Sequence, residues 1–298
     1  MSTTTTTTLT NAIATNAIDR LVLDYARQAT FLPNLVWAED IAGQNTLTHV
    51  FPQFGSLTAA AATQGTDLTP TTLNVTEAAS ITVGEVAVLV ELTRLGAVAS
   101  GGRVVADIVG RQCGLAVADK VETDIGATFP SFSASVGTSG AAMALVDFDN
   151  ALYTVRAANT PIGNPSNNNA PLQGYQAVLS EKQLSYFLIA LRQANMQCIP
   201  AAQMEILNEA GGVPAQLRGG YMGVPFYASN DLTTANSAVD AVGAMFGPTA
   251  IGLVTIGGPQ TMQMERPRGR SDDVVVLQWY GVGIVVNSYG CKIVNKAT

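Results

Sequence analysis

The chain has 298 residues, of which 47% are apolar, so its length and composition allow one large folded domain or two ordinary ones and exclude a disordered chain. Only 12% of the residues are charged, against about 25% in typical soluble domains. The formal net charge is -7, with 15 Lys and Arg in total, which argues against a general nucleic-acid binder.

The first part of the chain predicts one helix followed by a long flap. Thr10–Ala29 has apolar residues at spacings of three and four, as in an amphipathic helix, and Pro33 ends it. Thr46–Phe54 and Ile81–Leu92 are rich in β-branched residues and predict two strands around the small-residue loop Ser56–Thr72. Such a flap has little core of its own, so we expect it to need a partner surface.

The middle of the chain predicts one long helix at Val98–Ala127, followed by a Ser/Gly loop at Phe129–Gly140. The helix has an apolar residue at every fourth position, and these positions are Val105, Val109, Cys113, Val117, Val121 and Ile125. A more polar side is marked by charged residues, namely Asp107, Arg111, Asp119, Lys120 and Glu122. Its length requires a sheet or a neighbouring element along its apolar side.

The last part of the chain predicts a mixture of helices and strands after a turn-rich connection at Ala158–Tyr175. Ser180 and Gln183 form a capping box that starts a helix with a buried stripe. The stripe consists of Leu184, Phe187, Leu188 and Leu191. A short helix is predicted at Pro200–Ala210, and the later elements are three predicted strands, namely Tyr221–Ala228, Ile251–Met264 and Asp272–Val286. The last of these is apolar on both faces and should be central in its sheet.

Two uncharged features need a structural explanation. Ala241–Met264 carries no charge, but its glycines, prolines and glutamines make it too broken and too polar for a membrane-spanning helix. Cys113, Cys198 and Cys291 are widely spaced and form no CxxC pair, so we interpret them as small buried apolar residues. We therefore expect neither a membrane segment nor a disulfide framework.

The search for catalytic or cofactor-binding residues is mostly negative. His49 is the single histidine, and Gly137-Thr138-Ser139-Gly140 has the wrong spacing for a nucleophile elbow. Gly281-Val282-Gly283 lacks the third glycine of a dinucleotide fingerprint, and no phosphate loop or zinc-ligand cluster occurs. Asp147 and Asp149 are a close carboxylate pair of the kind that usually caps a helix. The sequence predicts no enzyme, no cofactor and no metal.

The strongest local signal is a basic cluster made by Arg266, Arg268 and Arg270. It lies between two predicted strands, with Pro267 and Gly269 interleaved, so it should form the tip of a hairpin. Three arginines on a tip are suited to bidentate pairing with carboxylates of another subunit. A solvated turn is the alternative interpretation.

The order of these features resembles the major capsid proteins of tailed bacteriophages, which have the Hong Kong 97-type fold. The N-terminal arm of that family, where it enters the extended loop, is similar to Phe31–Val36 together with Asn45–Thr48 and Phe51-Pro52. The segment before the family's returning strand is similar to Gly65–Pro70. Four later segments are also similar to the family. Val98–Ala127 resembles the spine helix, and Arg218–Tyr227 resembles the axial-domain turn. Met245–Gly252 resembles the opening of the last sheet, and Tyr280–Gly283 resembles the usual C-terminus.

The resemblance implies an α+β fold with an N-terminal arm, an extended loop, a peripheral domain with a long spine helix, and an axial domain. The implied ranges are 1–44 for the arm, 45–80 for the extended loop, 81–155 for the peripheral domain with its spine helix at about 98–127, 156–250 for the axial domain, 251–280 for the long peripheral strands and their hairpin, and 281–298 for the return to the axial domain. It also implies that the hairpin bearing Arg266, Arg268 and Arg270 lies at contacts between capsomers.

By the same resemblance, the chain assembles with itself as hexamers and pentamers into an icosahedral shell around double-stranded DNA, which it encloses without sequence-specific binding. A separate scaffolding protein and a portal protein are the implied partners, the shell is the virion capsid, and synthesis is in the host cytoplasm. Residues 45–80 contain no lysine, so we expect no lysine-based isopeptide crosslink from this loop. Two alternatives are an encapsulin-like compartment and an α+β enzyme that uses Asp147 or His49.

Overall fold

The computed structural model describes residues 31–54, 59, 61, 70, 72, 75–93, 103–158, 174–194, 199–200, 217–266 and 268–297. The helices in these residues are α1 (Arg103–Gly126), α2 (Leu145–Ala157) and α3 (Glu181–Gln193). The strands up to the third helix are β1 (Trp37–Asp40), β2 (Thr48–Phe54), β3 (Val75–Thr82), β4 (Gly84–Thr93), β5 (Ala134–Val136) and β6 (Gln176–Leu179). The later strands are β7 (Ile199–Pro200), β8 (Leu217–Tyr221), β9 (Val224–Ala228), β10 (Thr234–Ala235), β11 (Asp240–Phe246), β12 (Ile251–Thr255), β13 (Gln260–Arg266), β14 (Ser271–Ile284) and β15 (Gly290–Lys296).

The structure confirms the α+β class, with two large sheets and a two-stranded flap. Several sequence predictions lie outside the described residues: the helix at Thr10–Ala29, most of the connection at Ala158–Tyr175, the helix at Pro200–Ala210 beyond its first residue, and Cys198. Pro200 itself lies in β7, which pairs with β8, and so does not begin a helix.

The first sheet is organised around β14, as expected for a strand that is apolar on both faces. One edge of β14 pairs with β4 from Ser271 to Tyr280, and the other edge pairs first with β13 and then with β12. β1 completes the sheet in parallel to β12. The predicted single strand Ile251–Met264 is wrong, because the chain breaks into β12 and β13 at a turn where Gly257 has a φ of +66°.

Helix α1 packs along this sheet with the predicted four-residue period. Val109, Cys113 and Val117 are buried in one cluster with Val274 and Val276 of β14. A step of four residues advances about 40° around a helix of 3.6 residues per turn, so the apolar stripe winds around α1. Its later members, Val121 and Ile125, therefore face a different cluster, which lies between the two sheets. One helix thus joins both cores.

The prediction that Glu122 lies on the polar side of this helix is wrong. Glu122 is only 6% exposed, and its Oε1 accepts hydrogen bonds from the backbone N–H groups of Phe31, at 2.5 Å, and Leu32, at 3.3 Å. Burial raises the pKa of Glu122, the two backbone hydrogen bonds lower it, and the nearby carboxylates of Asp231 and Asp119 raise it further. The carboxylate holds the first described residues of the chain against α1.

The second sheet has the order β5-β15-β11-β6-β9-β8-β7, with β10 on β11. Its central strand β11 is buried at every residue, which explains why Ala241–Met264 begins without charge. β5 replaces part of the predicted loop at Phe129–Gly140, and the predicted strand Tyr221–Ala228 is instead the β8–β9 hairpin. Met222 and Gly223, with φ values of 52° and 80°, form its two-residue turn.

Helices α2 and α3 cover one face of the second sheet, where the rings of Phe148 and Phe187 stack with centroids 4.8 Å apart. The capping box is confirmed, because Ser180 Oγ accepts from Gln183 N and Gln183 Oε1 accepts from Ser180 N. Gln183 Nε2 also donates to the Ala241 carbonyl at 2.8 Å, so the capping residue fixes α3 to β11. Although β5 and α2 lie within the range 81–155, they pair and pack with the second sheet.

The flap is the β2–β3 hairpin, with a bulge between Phe51 and Pro52. The returning strand is β3, so Ile81–Leu92 is not one strand: it spans the end of β3 and most of β4, and β4 belongs to the first sheet. Phe51 and Ile81 are buried at the root of the flap against β12. A side chain at Gly281 would collide with the Thr82 carbonyl, so the Gly281-Val282-Gly283 sequence lets the flap root cross the sheet.

Replacement of Val117 by Asp should prevent folding, because it buries an unpaired carboxylate between α1 and β14 at a cost above about 3 kcal/mol. Gln112→Asp, at an exposed position of the same helix, is the matched control. Soluble yield and thermal melting measure the outcome. A Val117→Asp variant that melts like the control would contradict the assigned packing.

Replacement of Glu122 by Gln should raise the melting temperature at pH 7, because Gln still accepts from Phe31 N and Leu32 N but carries no buried charge. Glu122→Ala should instead lower the free energy of unfolding by about 1–3 kcal/mol, since two buried N–H groups lose their acceptor. The folded pKa of Glu122 lies above its ordinary value of 4.5, so its protonation favours the folded state as the pH falls. The advantage of Glu122→Gln should therefore shrink toward pH 4.5, and a pH-independent advantage would contradict this account.

Candidate intersubunit surface

The arginine cluster lies at the tip of the β13–β14 hairpin, as the sequence predicts. Arg266 is the last residue of β13 and pairs in register with Ser271, the first residue of β14, and Arg268, Gly269 and Arg270 lie in the turn between them. Arg270 has a φ of 51°, a left-handed conformation that glycine or asparagine usually supplies. A non-glycine residue in this conformation costs about 1–2 kcal/mol of backbone energy.

The three arginines are not equivalent. Arg266 Nε lies 2.6 Å from Asp273 Oδ2, and the Asp273 side chain is only 7% exposed. Arg266 therefore neutralises a buried carboxylate of its own chain, and its expected contact with another subunit stays a prediction. Arg268 and Arg270 are exposed, and neither makes an ion pair with any residue that the structure describes.

Carboxylates surround the base of the same tip. Glu91 of β4 lies directly opposite Asp273 in the sheet register, and its Oε1 accepts a hydrogen bond from Ser271 Oγ at 2.6 Å. A groove beside the turn is lined by four charged residues and one glycine, namely Glu91, Glu265, Arg266, Arg268 and Gly269. The second oxygen of Asp273, Oδ1, is buried and has no hydrogen-bond partner within the described part of the chain. We call this feature the tip groove.

An apolar row continues from the tip groove along the outer face of the first sheet. Leu89, Val275 and Met262 lie side by side on three adjacent strands, on the face opposite α1. Leu89 is 59% exposed, Met262 52%, and Met264, next to the groove, 68%. Exposed apolar side chains beside a charged rim are typical of a protein–protein contact surface.

The candidate catalytic residues do not form a site. His49 lies on β2 with its ring edge-on to Phe51, at a centroid distance of 4.8 Å. Asp147 Oδ2 accepts from the backbone N–H of Ala144 and from Asn295 Nδ2, so it caps α2 as a structural residue. Asp149 lies on the same helix, where burial raises its pKa. His49 belongs to the flap and the two aspartates to the second sheet's helix layer.

The Gly137-Thr138-Ser139-Gly140 segment has a structural role. Ser139 Oγ and Gly140 N donate to the carboxylate of Asp240, at 2.6 Å and 2.9 Å, and Asp240 is completely buried at the start of β11. The hydrogen bond from Ser139 is the main cause that lowers the pKa of Asp240, and burial opposes it. This segment closes a buried hydrogen-bond network.

Within the described ranges, no group of three or more His, Cys, Asp and Glu side chains could hold a metal ion. Cys113 and Cys291 are buried free thiols, as expected, and burial raises the pKa of Cys291 to about 11. None of the helices in the described residues is long and apolar enough to cross a membrane.

Sequence reasoning missed the carboxylates of the tip groove. Glu91 is 180 residues from Ser271, and only the β4–β14 register brings them together. The apolar row beside the groove did leave a signal in the sequence. Met262 and Met264 alternate with polar residues in β13, and this period of two predicts that both methionines lie on one face of the strand.

Replacement of Arg266 by Ala should lower the free energy of unfolding of the unassembled subunit by about 1–3 kcal/mol, because the buried Asp273 carboxylate loses its cation. Arg268→Ala is the matched control and should leave it unchanged. Urea unfolding measures both variants. Arg266→Ala combined with Asp273→Asn should recover part of the loss, and equal stability of Arg266→Ala and Arg268→Ala would refute the pairing.

Comparison with known proteins gives matches at the level of three-dimensional structure. No protein-family model and no curated protein sequence matches the chain. A structure from Mycobacterium phage Che8 is 18% identical, with a TM-score of 0.61, over 89% of this chain and 90% of that one. The capsid of Ralstonia phage GP4 is 12% identical, with a TM-score of 0.67, over 89% and 87%. The holo-SrpI encapsulin complex from Synechococcus elongatus is 9% identical, with a TM-score of 0.61, over 88% and 85%.

The similar structures are almost all phage capsid proteins, and each alignment spans nearly the whole of both chains. The expected architecture is therefore confirmed at the level of the fold: the chain has the Hong Kong 97-type fold.

Proposed function

We propose that this chain is the major capsid protein of a tailed bacteriophage and assembles into the icosahedral shell that encloses double-stranded DNA. The observation that carries the proposal is structural similarity along about 90% of the chain to subunits of phage capsids, including that of Ralstonia phage GP4. A structural role agrees with the low charge of the chain and with a tip that offers contacts rather than a reaction centre.

We assign the parts of the fold to the parts of a shell subunit. The sheet of β1, β4 and β12–β14 with α1 is the peripheral domain and its spine helix, and the sheet centred on β11 is the axial domain. The β2–β3 flap is the extended loop, and residues 1–44 are the N-terminal arm, which contributes β1 to the edge of the peripheral sheet. The placement of β5 and α2 against the second sheet moves these elements into the axial domain.

The proposed partners follow from this role. Hexamers and pentamers of the chain form the shell, a separate scaffolding protein guides assembly, and a portal protein occupies one vertex. The DNA is enclosed without sequence-specific contacts, in keeping with a net charge of -7 and a shortage of cations. The protein is made in the host cytoplasm and resides in the virion.

An encapsulin-like compartment is the second candidate, because an encapsulin shell has a similar subunit structure. Negative-stain electron microscopy of the expressed protein tests the shell itself, and images of particles from infected cells separate the two candidates. Closed shells with a portal vertex and tail support the capsid, whereas tailless shells that contain a cargo enzyme support the compartment. A stable monomer or dimer with enzymatic turnover would contradict both.

We also propose that Arg268 and Arg270 pair with carboxylates of an adjacent capsomer. Both side chains are exposed on a turn that is held by paired strands on each side. The same turn left in solvent is the competing interpretation, and it predicts that assembly does not depend on these residues.

The double variant Arg268→Ala/Arg270→Ala should keep the melting temperature of the unassembled subunit but reduce the yield of shells. Arg192→Ala, an exposed arginine at the end of α3, is the control. Added salt should weaken assembly of the wild-type chain only in part. Ion pairs that are partly buried in an interface are screened less than exposed ion pairs. Light scattering at rising ionic strength measures assembly, and an unchanged yield for the double variant would return the cluster to a solvated turn.

A further inference from the structure

We infer that β3 has two alternative positions at the root of the flap and exchanges them by a turn of the chain at Val83. In the crossed position, which the structure shows, the end of β3 lies over the outer face of the first sheet. In the in-line position, it continues the line of β4 and pairs with the part of β14 that β4 leaves open. The inference depends on the fold alone and not on the proposed shell function.

The first argument is an open edge on β14. β4 pairs with β14 only as far as Tyr280, whereas β12 pairs with the opposite edge as far as Ile284. Ile256 N donates to the Trp279 carbonyl on the β12 side. Backbone groups point to alternate sides along a strand, so those of Val282 and Ile284 point to the side that β4 has left. Within the described ranges, no strand pairs with them there.

The second argument is a matching open edge on β3. Val83 N donates to the Leu47 carbonyl, so the odd-numbered residues at this end of β3 bond to β2. The backbone groups of Ser80 and Thr82 therefore point away from β2. β3 can bond to another strand along this second edge and still keep its pairing with β2.

The register of β4 and β14 brings the two open edges together. Gly84 lies opposite Tyr280, so a β4 that continued straight would place Thr82 opposite Val282. Thr82 and Val282 already line one cavity of about 450 Å³ beside α1. The pattern of Ile81–Leu92 also favours the in-line position, because it predicts a single strand. A disagreement between local pattern and tertiary structure is typical of a strained or functional site.

The third argument is that the crossed position depends on glycine in β14. A side chain at Gly281 would collide with the Thr82 carbonyl, and one at Gly283 would crowd the Ile81 side chain. In the in-line position, β3 lies beside β14 in the plane of the sheet, and side chains of β14 stand perpendicular to that plane. The in-line position therefore tolerates a side chain where the crossed position requires glycine.

Burial of apolar side chains makes the crossed position the major one. Phe51 and Ile81 are packed against the sheet, with exposed fractions of 0% and 5%. Odd-numbered side chains of β4, such as Leu89, point outward, so Ile81 would also point outward in the in-line position. The exchange replaces this buried apolar area by backbone hydrogen bonds of Val282 and Ile284. A surface that covers Phe51 and Ile81 would therefore favour the in-line position.

Gly281→Ala tests the inference in the unassembled subunit. Its methyl group blocks the crossed position and leaves the in-line position open, where the N–H groups of Val282 and Ile284 bond to β3. Hydrogen exchange at these two amides should therefore be about tenfold slower than in the wild type. Gly174→Ala is the matched control, because a side chain at Gly174 would meet no atom of the described residues within 4 Å. Mass spectrometry of fragments that cover residues 281–285 measures the exchange.

The direction of the change decides the outcome. Slower exchange at both amides in a folded Gly281→Ala variant supports the in-line position. Unchanged or faster exchange overturns it, because β3 has then kept its place or detached without reaching the open edge. Thermal melting shows whether the variant is folded. Neither result affects the proposed shell function, which shell formation by the wild-type chain tests separately.

If Gly281→Ala does not fold, Phe51→Ala decides the question. It weakens the crossed position by removing buried apolar area and leaves β14 unchanged, so it should also slow exchange at Val282 and Ile284. Val50→Ala, at an exposed position of the same strand, is the control. A folded Phe51→Ala variant with unchanged exchange at both amides would overturn the inference.

Discussion

The packing of α1 against β14 is the interaction on which the rest of the structure depends. β14 pairs with three other strands, and its inner face is buried under α1 through Val274 and Val276. The same helix continues into the cluster between the two sheets, where Val121 and Ile125 lie. Tyr280 Oη donates to Asp124 Oδ2 at 2.7 Å and adds a polar tie between the two elements.

Buried polar side chains then attach the surrounding segments to α1 and to β11. Glu122 accepts from Phe31 and Leu32, Asp240 accepts from Ser139 and Gly140, and Gln183 donates to the β11 backbone. Each is a side chain that satisfies backbone groups which burial would otherwise leave unpaired. Few charges are needed for this, so a chain with 12% charged residues can still fix the segments around Phe31 and Gly140.

The three arginines of the hairpin tip have different surroundings. Arg266 compensates the buried Asp273 within the subunit, while Arg268 and Arg270 remain exposed on the turn. The carboxylates that form the tip groove come from β4 and β13, two strands far apart in the sequence that β14 holds together. These charged residues thus lie at the end of β14, where pairing with β4 on one side and β13 on the other positions the turn.

Local patterns determined much of this protein. The four-residue period of α1, the capping box at Ser180, the central position of β14 and the hairpin that bears the arginines could each be predicted, because each depends on neighbours within a few turns or residues. The order of such motifs was also sufficient to predict the fold, which the structure confirms. Only the tertiary structure decided where strands divide, as at Val83 and Gly257, and which polar residues are buried. Glu122 looks solvated on a helical wheel, and Glu91 looks like any exposed strand residue. Their partners, Phe31 and Ser271, are 91 and 180 residues away, and strand register over such distances is set by global packing rather than by local sequence.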